Sequence, residues 1–144
     1  MTGKYTIKKS FEFCAAHRLH QLPDEHKCSK VHGHNYIVTV MLGSNNLDKD
    51  GFVIDFGKLK SFKEYLDKEW DHVLIVSEED NELKSCIAVC PSIFKIKYVN
   101  YIPSAENMAK DFINKLKELY PQFNFYKVHV EETKNNIATY KEIS

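Results

Sequence analysis

Cys28-Ser29-Lys30-Val31-His32-Gly33-His34-Asn35-Tyr36 carries two histidines with only a glycine between them and runs into Ile37-Val38-Thr39-Val40-Met41-Leu42. The run from His34 to Leu42 is dense in β-branched and aromatic side chains, which suit a pleated, half-buried surface, and it predicts a strand. Alternate side chains of a strand share a face, so His32 and His34 project together. Gly33 adds no side chain and lets another group approach the backbone closely. Upstream, Tyr5 to Ala16 alternates weakly and is rich in Phe, Ile and Thr; it reads as a second strand with His17 at its end. Three imidazoles with Cys28 nearby suggest a metal site beside a reactive sulfur. The rest of the chain reads as scaffold and substrate pocket for that site.

The chain has 144 residues, the length of one ordinary domain, so residues 1–144 are expected to form a single unit. Apolar residues make up 43% and charged residues 28%, which is globular composition. Acidic and basic residues balance at 20 each, so no net field favours nucleic acid or an anionic membrane. An anionic ligand would need a locally built site. No apolar run approaches the ~18 residues that span a bilayer, and the first residues show no signal-peptide core. The expected compartment is the cytoplasm, where Cys14, Cys28, Cys86 and Cys90 are thiols.

Downstream, Gly43-Ser44-Asn45-Asn46 is turn chemistry. Asp55 is a suitable cap for a helix reaching about Glu69, with Phe56, Leu59, Phe62 and Leu66 as its apolar stripe. Trp70-Asp71-His72 ends it. A short helix carrying Leu83, Ile87 and Cys90 is expected within Ser77 to Cys90, with Pro91 as a stop, and Phe94 to Ile102 reads as a strand. Ser104 caps a second strong helix with Met108, Phe112, Leu116 and Leu119 at helical spacing and Pro121 as its end. Phe123 to Glu132 alternates as a strand, Asn135-Asn136 turns, and Ile137 to Ile143 returns as its hairpin partner. The order predicts an α+β domain, an antiparallel sheet with helices on one face.

The chemistry-bearing residues each have two readings. Zinc held by three histidines keeps a fourth position open for water or substrate, which His17, His32 and His34 could supply; otherwise His32-Gly33-His34 is a turn with two solvated imidazoles. Cys28, flanked by Lys27 and Lys30, is a base or nucleophile if a cation lowers its pKa, or a loop thiol. Cys14 reads as packing, and Cys86 with Cys90 as a helix face more than a metal half-site. Asp71-His72 is a carboxylate–imidazole relay or a helix C-terminal cap. Glu132 continues the apolar face of Val128 and Val130, so it needs a partner such as a donor-rich ligand, a cationic side chain or a backbone amide.

Taken together, these pieces resemble the 6-pyruvoyl-tetrahydropterin synthase family. The resemblance runs from about Phe11 to Tyr140. It is carried by Phe13-Cys14-Ala15-Ala16-His17-Arg18-Leu19, by His26-Lys27-Cys28 with His32-Gly33-His34-Asn35-Tyr36, by Gly51 to Phe56, by Asp71-His72, by Pro103-Ser104-Ala105-Glu106-Asn107 and by Glu132-Thr133. Three residues between Cys28 and His32 resemble the carboxy-forming branch of the 7-deazapurine (queuosine) pathway, whereas Asn135-Asn136-Ile137 with Tyr140 is more similar to the pyruvoyl-forming branch. The resemblance implies a tunnelling fold: a four-stranded antiparallel sheet backed by helices, closed with neighbours into a trimeric barrel and commonly stacked as a dimer of trimers. It implies His17, His32 and His34 as zinc ligands, Cys28 as proton acceptor, Asp71-His72 as proton relay, and Glu132 as pterin anchor, with Ser104, Ala105 and Glu106 bordering the ring. Sites between subunits imply that Asp71-His72 serves a neighbour's Cys28. Lys27, Lys30 and Arg18 are candidate triphosphate contacts. The implied reaction is zinc-dependent carbon–carbon lysis of 7,8-dihydroneopterin triphosphate to 6-carboxy-tetrahydropterin, acetaldehyde and triphosphate. The alternative is triphosphate elimination with the side chain retained.

Overall fold

The computed structural model describes residues 4–143. Strand β1 (Tyr5–His17) and strand β2 (His32–Ser44) form a long antiparallel ladder, from Tyr5 opposite Ser44 to His17 opposite His32. A 3₁₀ turn at Phe56–Leu59 leads into helix α1 (Lys60–Glu69). Strand β3 (Val73–Ser77), helix α2 (Asn81–Val89) and strand β4 (Ile96–Val99) follow. Helix α3 (Ala105–Leu119) and the hairpin of β5 (Phe125–Thr133) and β6 (Asn136–Ile143) complete the chain. No helix among the described residues is long and apolar enough to cross a membrane.

The sheet has six strands in the order β4-β3-β1-β2-β5-β6, not the expected four. Strands β1, β2, β5 and β6 pair antiparallel, but β3, which the sequence does not predict, runs parallel to β1 at Ala15 and Ala16, and β4, the strand expected within Phe94 to Ile102, runs parallel to β3. The sheet is therefore mixed. Val73-Leu74-Ile75-Val76 is buried on both faces, so it shows a continuous apolar run and not the alternation that marks a one-sided strand.

The helices are not confined to one face either. Phe11, Phe13, Tyr36, Val38, Val128 and Val130 meet α1 and α3 in the main core, together with Val73 and Ile75. The alternate residues Leu74 and Val76 form a second cluster with Leu83 and Ile87 of α2, joined by Ala16 and Ile96. Opposite side-chain directions along β3 thus place α2 on the other face. The main core is aromatic: Trp70 packs edge-on to Phe112 at 4.8 Å between ring centroids, and Phe13 stacks on Tyr36 at 4.9 Å. Leu59, Phe62 and Leu66 are buried as expected, but Phe56 is half exposed, because the first turn is 3₁₀ and rotates it off the stripe. Ser104 accepts from the Asn107 amide and caps α3 as expected, whereas Asp55, accepting from the Gly57 amide, caps the 3₁₀ turn and not α1, whose N-cap Leu59 makes no side-chain hydrogen bond.

Candidate active site

The ladder of β1 and β2 decides where the histidines go. His17 lies directly opposite His32, and His34 is one side chain further along the same face, opposite Ala15. The three rings sit 4.7–5.2 Å apart by centroid. One ligand atom from each lies within 4.8 Å of the other two, a grouping able to hold a metal ion.

Hydrogen bonds set the tautomers. The Nδ1–H of His17 donates to the Pro103 carbonyl at 2.7 Å, and that of His32 to the Lys30 carbonyl at 2.7 Å. This leaves Nε2 of each as a lone pair, the second-sphere arrangement usual for metal-bound imidazole. Nε2 of His17 and Nε2 of His34 are buried and without a hydrogen-bond partner among the described residues. Such atoms are costly to bury, and a cation would satisfy them. Burial also pushes the His17 imidazole down to about 4, with a smaller push from its two neighbours, and lowers His34. Both are therefore neutral donors at physiological pH. The donor set fits a metal ion.

Glu132 follows Val128 and Val130 on the same face of β5, and its carboxylate lies 3.8 Å from His34 Nε2. Burial raises its pKa, and repulsion from Glu106 adds to this. Glu132, Glu106 and Ala105 line an open pocket with Asn135, Asn136, Ile137 and Ala138. Of the three residues expected to border the ligand, Ala105 and Glu106 reach this pocket; the Ser104 hydroxyl is occupied as the α3 cap.

Cys28 sits in a 3₁₀ turn (Lys27–Ser29) between β1 and β2. Its amide donates to His26 Nδ1 at 3.0 Å and its carbonyl accepts from Leu19 N at 2.9 Å, while its thiol makes no hydrogen bond among the described residues. Asp71 and His72 lie elsewhere. Asp71 Oδ1 accepts from the Cys14 amide at 2.9 Å, and Oδ2 pairs with His72 Nδ1 at 2.8 Å. The Cys14 amide is the largest cause holding the Asp71 carboxyl below its usual range; burial opposes it, and the His72 bond adds to the lowering. His72 has a left-handed backbone, φ 60°, unusual for a residue with a side chain. It opens on a shallow depression lined by Cys14, Gly33 and Asn35, on the sheet face opposite the histidine rings. Within one chain, then, the three histidines and Glu132 come together, and Asp71-His72 stands apart from them.

Three expectations change. Cys14 is exposed, not packed, and its thiol donates to Asn35 Oδ1 at 2.9 Å. Among the described residues nothing crowds Gly33: an added Cβ would meet the Ala15 carbonyl at 3.6 Å, an ordinary contact. Arg18 is not free for phosphate, being paired with Asp80 through two 2.7 Å contacts. One residue was overlooked. Tyr36 is buried beside His34 at 5.3 Å, its hydroxyl lacks a hydrogen-bond partner among the described residues, and burial keeps it protonated. Its signal was the two-residue period itself, which puts Tyr36 on the face of His32 and His34.

Comparison with known proteins agrees with this architecture. The 6-carboxy-5,6,7,8-tetrahydropterin synthase of Rickettsia conorii is 36% identical over 120 residues, covering 82% of this chain and 85% of that one. The protein of the same name from Aquifex aeolicus is 34% identical, covering 96% and 99%. The structure of Caenorhabditis elegans 6-pyruvoyl tetrahydropterin synthase superposes with a TM-score of 0.68 at 30% identity, covering 99% of both chains. The 6-pyruvoyl tetrahydropterin synthase family model matches residues 6–143, nearly every described position, and with a shared fold and relatives of this identity the chain belongs to that family.

Proposed function

We propose that the chain is a zinc-dependent carbon–carbon lyase, acting on 7,8-dihydroneopterin triphosphate and water to give 6-carboxy-tetrahydropterin, acetaldehyde and triphosphate, as a step of 7-deazapurine (queuosine) synthesis. The observation that carries this reading is the convergence of three histidines, two with orphaned nitrogens, beside the carboxylate of Glu132. The names of the Rickettsia and Aquifex relatives favour the carboxy-forming branch.

His17, His32 and His34 hold the ion. Bound there, zinc supplies Lewis-acid stabilisation of the negative charge that develops on side-chain oxygens. Glu132 accepts hydrogen bonds from the amino and N–H groups of the pterin, with Ala105 and Glu106 along the ring and Ser104 fixing their backbone through the α3 cap. Cys28, as thiolate, removes a proton from the carbon side chain. His72 returns protons through Nε2, since Nδ1 is committed to Asp71; the carboxylate orients the ring. The reduction of the pterin ring is balanced by oxidation of the side-chain carbon that becomes the carboxylate, so no external electron carrier is used.

One domain, residues 1–144, forms each subunit, and β4 and β6 leave sheet edges unpaired among the described residues. Such edges invite pairing between copies. We propose closure into a trimeric barrel, and a dimer of trimers, in which Asp71-His72 of one subunit serves Cys28 of its neighbour. The proposed setting is cytoplasmic, with no nucleic-acid or membrane partner.

Zinc-loaded protein incubated with dihydroneopterin triphosphate should yield acetaldehyde and a carboxy-pterin by mass, and Cys28→Ala should lose about 100-fold or more of that activity with its zinc retained. A pyruvoyl-pterin without acetaldehyde would move the chain to the pyruvoyl-forming branch. The Asn135-Asn136-Ile137 turn and the likeness to the Caenorhabditis enzyme are what favour that second reading. No turnover with zinc bound would leave a binding protein.

A further inference from the structure

Arg18 follows His17 at the end of β1 and is only 16% exposed at its side chain. Its guanidinium grips Asp80 in a fork: Nε to Oδ2 and Nη2 to Oδ1, each 2.7 Å. Such bidentate pairs combine strength with fixed orientation. Asp80 is 3% exposed and also accepts from the Leu83 amide at 3.1 Å, capping α2. The third arm of the fork, Nη1, donates to the Ser29 carbonyl at 3.3 Å.

Ser29 is the residue after Cys28. It is buried, and its hydroxyl donates toward the carbonyls of His26 and Asp24. Leu19, next to Arg18, donates its amide to the Cys28 carbonyl. The turn that carries the thiol is thus held at two successive carbonyls, those of Cys28 and Ser29, by the consecutive residues Leu19 and Arg18 at β1's exit. One of those residues is held by a carboxylate 62 positions away in the β3–α2–β4 segment.

We infer that Arg18 and Asp80 are positioning residues that hold the Cys28 turn in register with the histidine cluster. The β3–α2–β4 segment is then part of the catalytic framework, because it supplies the anchor at the N-terminus of α2. This inference rests on the reading of Cys28 as the base. It assigns Arg18 to the thiol and not to the triphosphate.

The test uses full-length, zinc-loaded protein carrying Asp80→Asn, Asp80→Glu or Arg18→Lys. Asn keeps an acceptor for the Leu83 amide and removes the charge; Lys keeps the charge and removes the fork. Two readouts are taken: kcat and KM with dihydroneopterin triphosphate, and the rate of iodoacetamide alkylation of each cysteine against pH, resolved by peptide mass. Asp80→Asn and Arg18→Lys should lower kcat by up to about 100-fold with KM unchanged. They should shift the alkylation profile of Cys28 but leave those of Cys14, Cys86 and Cys90 in place, and Asp80→Glu should recover most of both. An unchanged Cys28 profile and kcat in folded, zinc-replete variants would overturn the inference. So would a raised KM with kcat unchanged, which would return Arg18 to the phosphates. A loosened α2 would move Cys86 and Cys90 as well and would equally count against it. If Cys28→Ala retains turnover, the base assignment fails, and the alkylation profiles alone still decide whether the bridge sets the thiol.

Discussion

The histidine cluster and the Cys28 turn lie within a few residues of each other along the chain, yet they are held by different means. His17, His32 and His34 stand on two 13-residue strands whose backbone ladder fixes their facing, so their placement needs little from other side chains. The Cys28 turn has no ladder. It depends on His26, Ser29 and Arg18, and through Arg18 on Asp80. A donor set that must meet one ion is best built on rigid sheet. A side chain that must meet a moving substrate is carried on a loop whose geometry is tuned by a network.

This contrast can be broken most sharply at His32. His32→Ala should abolish metal retention, read by elemental analysis of dialysed protein, and cost at least about 1,000-fold in turnover, while the melting temperature without metal stays near that of the unaltered apo chain. A collapse of the apo fold would show that the ladder does not stand alone. Glu132 belongs to the ladder by position but, in the proposed function, to the ligand by role. Glu132→Gln should raise KM by about 100-fold, because a charged acceptor is lost from pterin donors, and should leave zinc content intact.

The smallest effect falls on the network side. Burial raises the pKa of Asp80, but the hydrogen bonds from Arg18 and the Leu83 amide, with the Arg18 charge, outweigh it and the net shift is downward. A carboxyl whose folded value lies below its ordinary 3.8 stabilises the fold above that value and loses the contribution as pH falls through the folded one. Asp80→Asn should therefore cost about 1 kcal/mol at pH 7, and thermal melts of the two proteins should converge as the pH drops below 3.8. A gap that stays constant through acid would mean that the ionised pair adds nothing.

Much of this could be read from the chain because it is local. The period of two along Tyr36, Val38, Val40 and Leu42 marks β2 and gives the facing of His32 and His34 in advance. The period of 3.6 along Met108, Phe112 and Leu116 does the same for α3. What escaped is what has no local signature. Val73 to Val76 is apolar on both faces and pairs with strands distant in sequence, so neither its strand nor the placement of α2 on the far face shows as a pattern. Arg18 and Asp80 are each unremarkable in their own surroundings. Of the expected site, the histidines with Glu132 are joined by strand register within one chain, whereas Asp71-His72 is fixed to the Cys14 backbone on the other face.

The left-handed backbone at His72 bears on how its imidazole can be interrogated. Alanine disfavours that conformation, with a cost on the order of 1–2 kcal/mol, so His72→Ala would blend conformational strain with loss of the ring. Asparagine visits this region readily and matches part of the polar outline. His72→Asn is thus the cleaner isostere, and a difference between the two replacements would itself gauge how much of the residue's worth lies in its torsion angle and how much in its nitrogen.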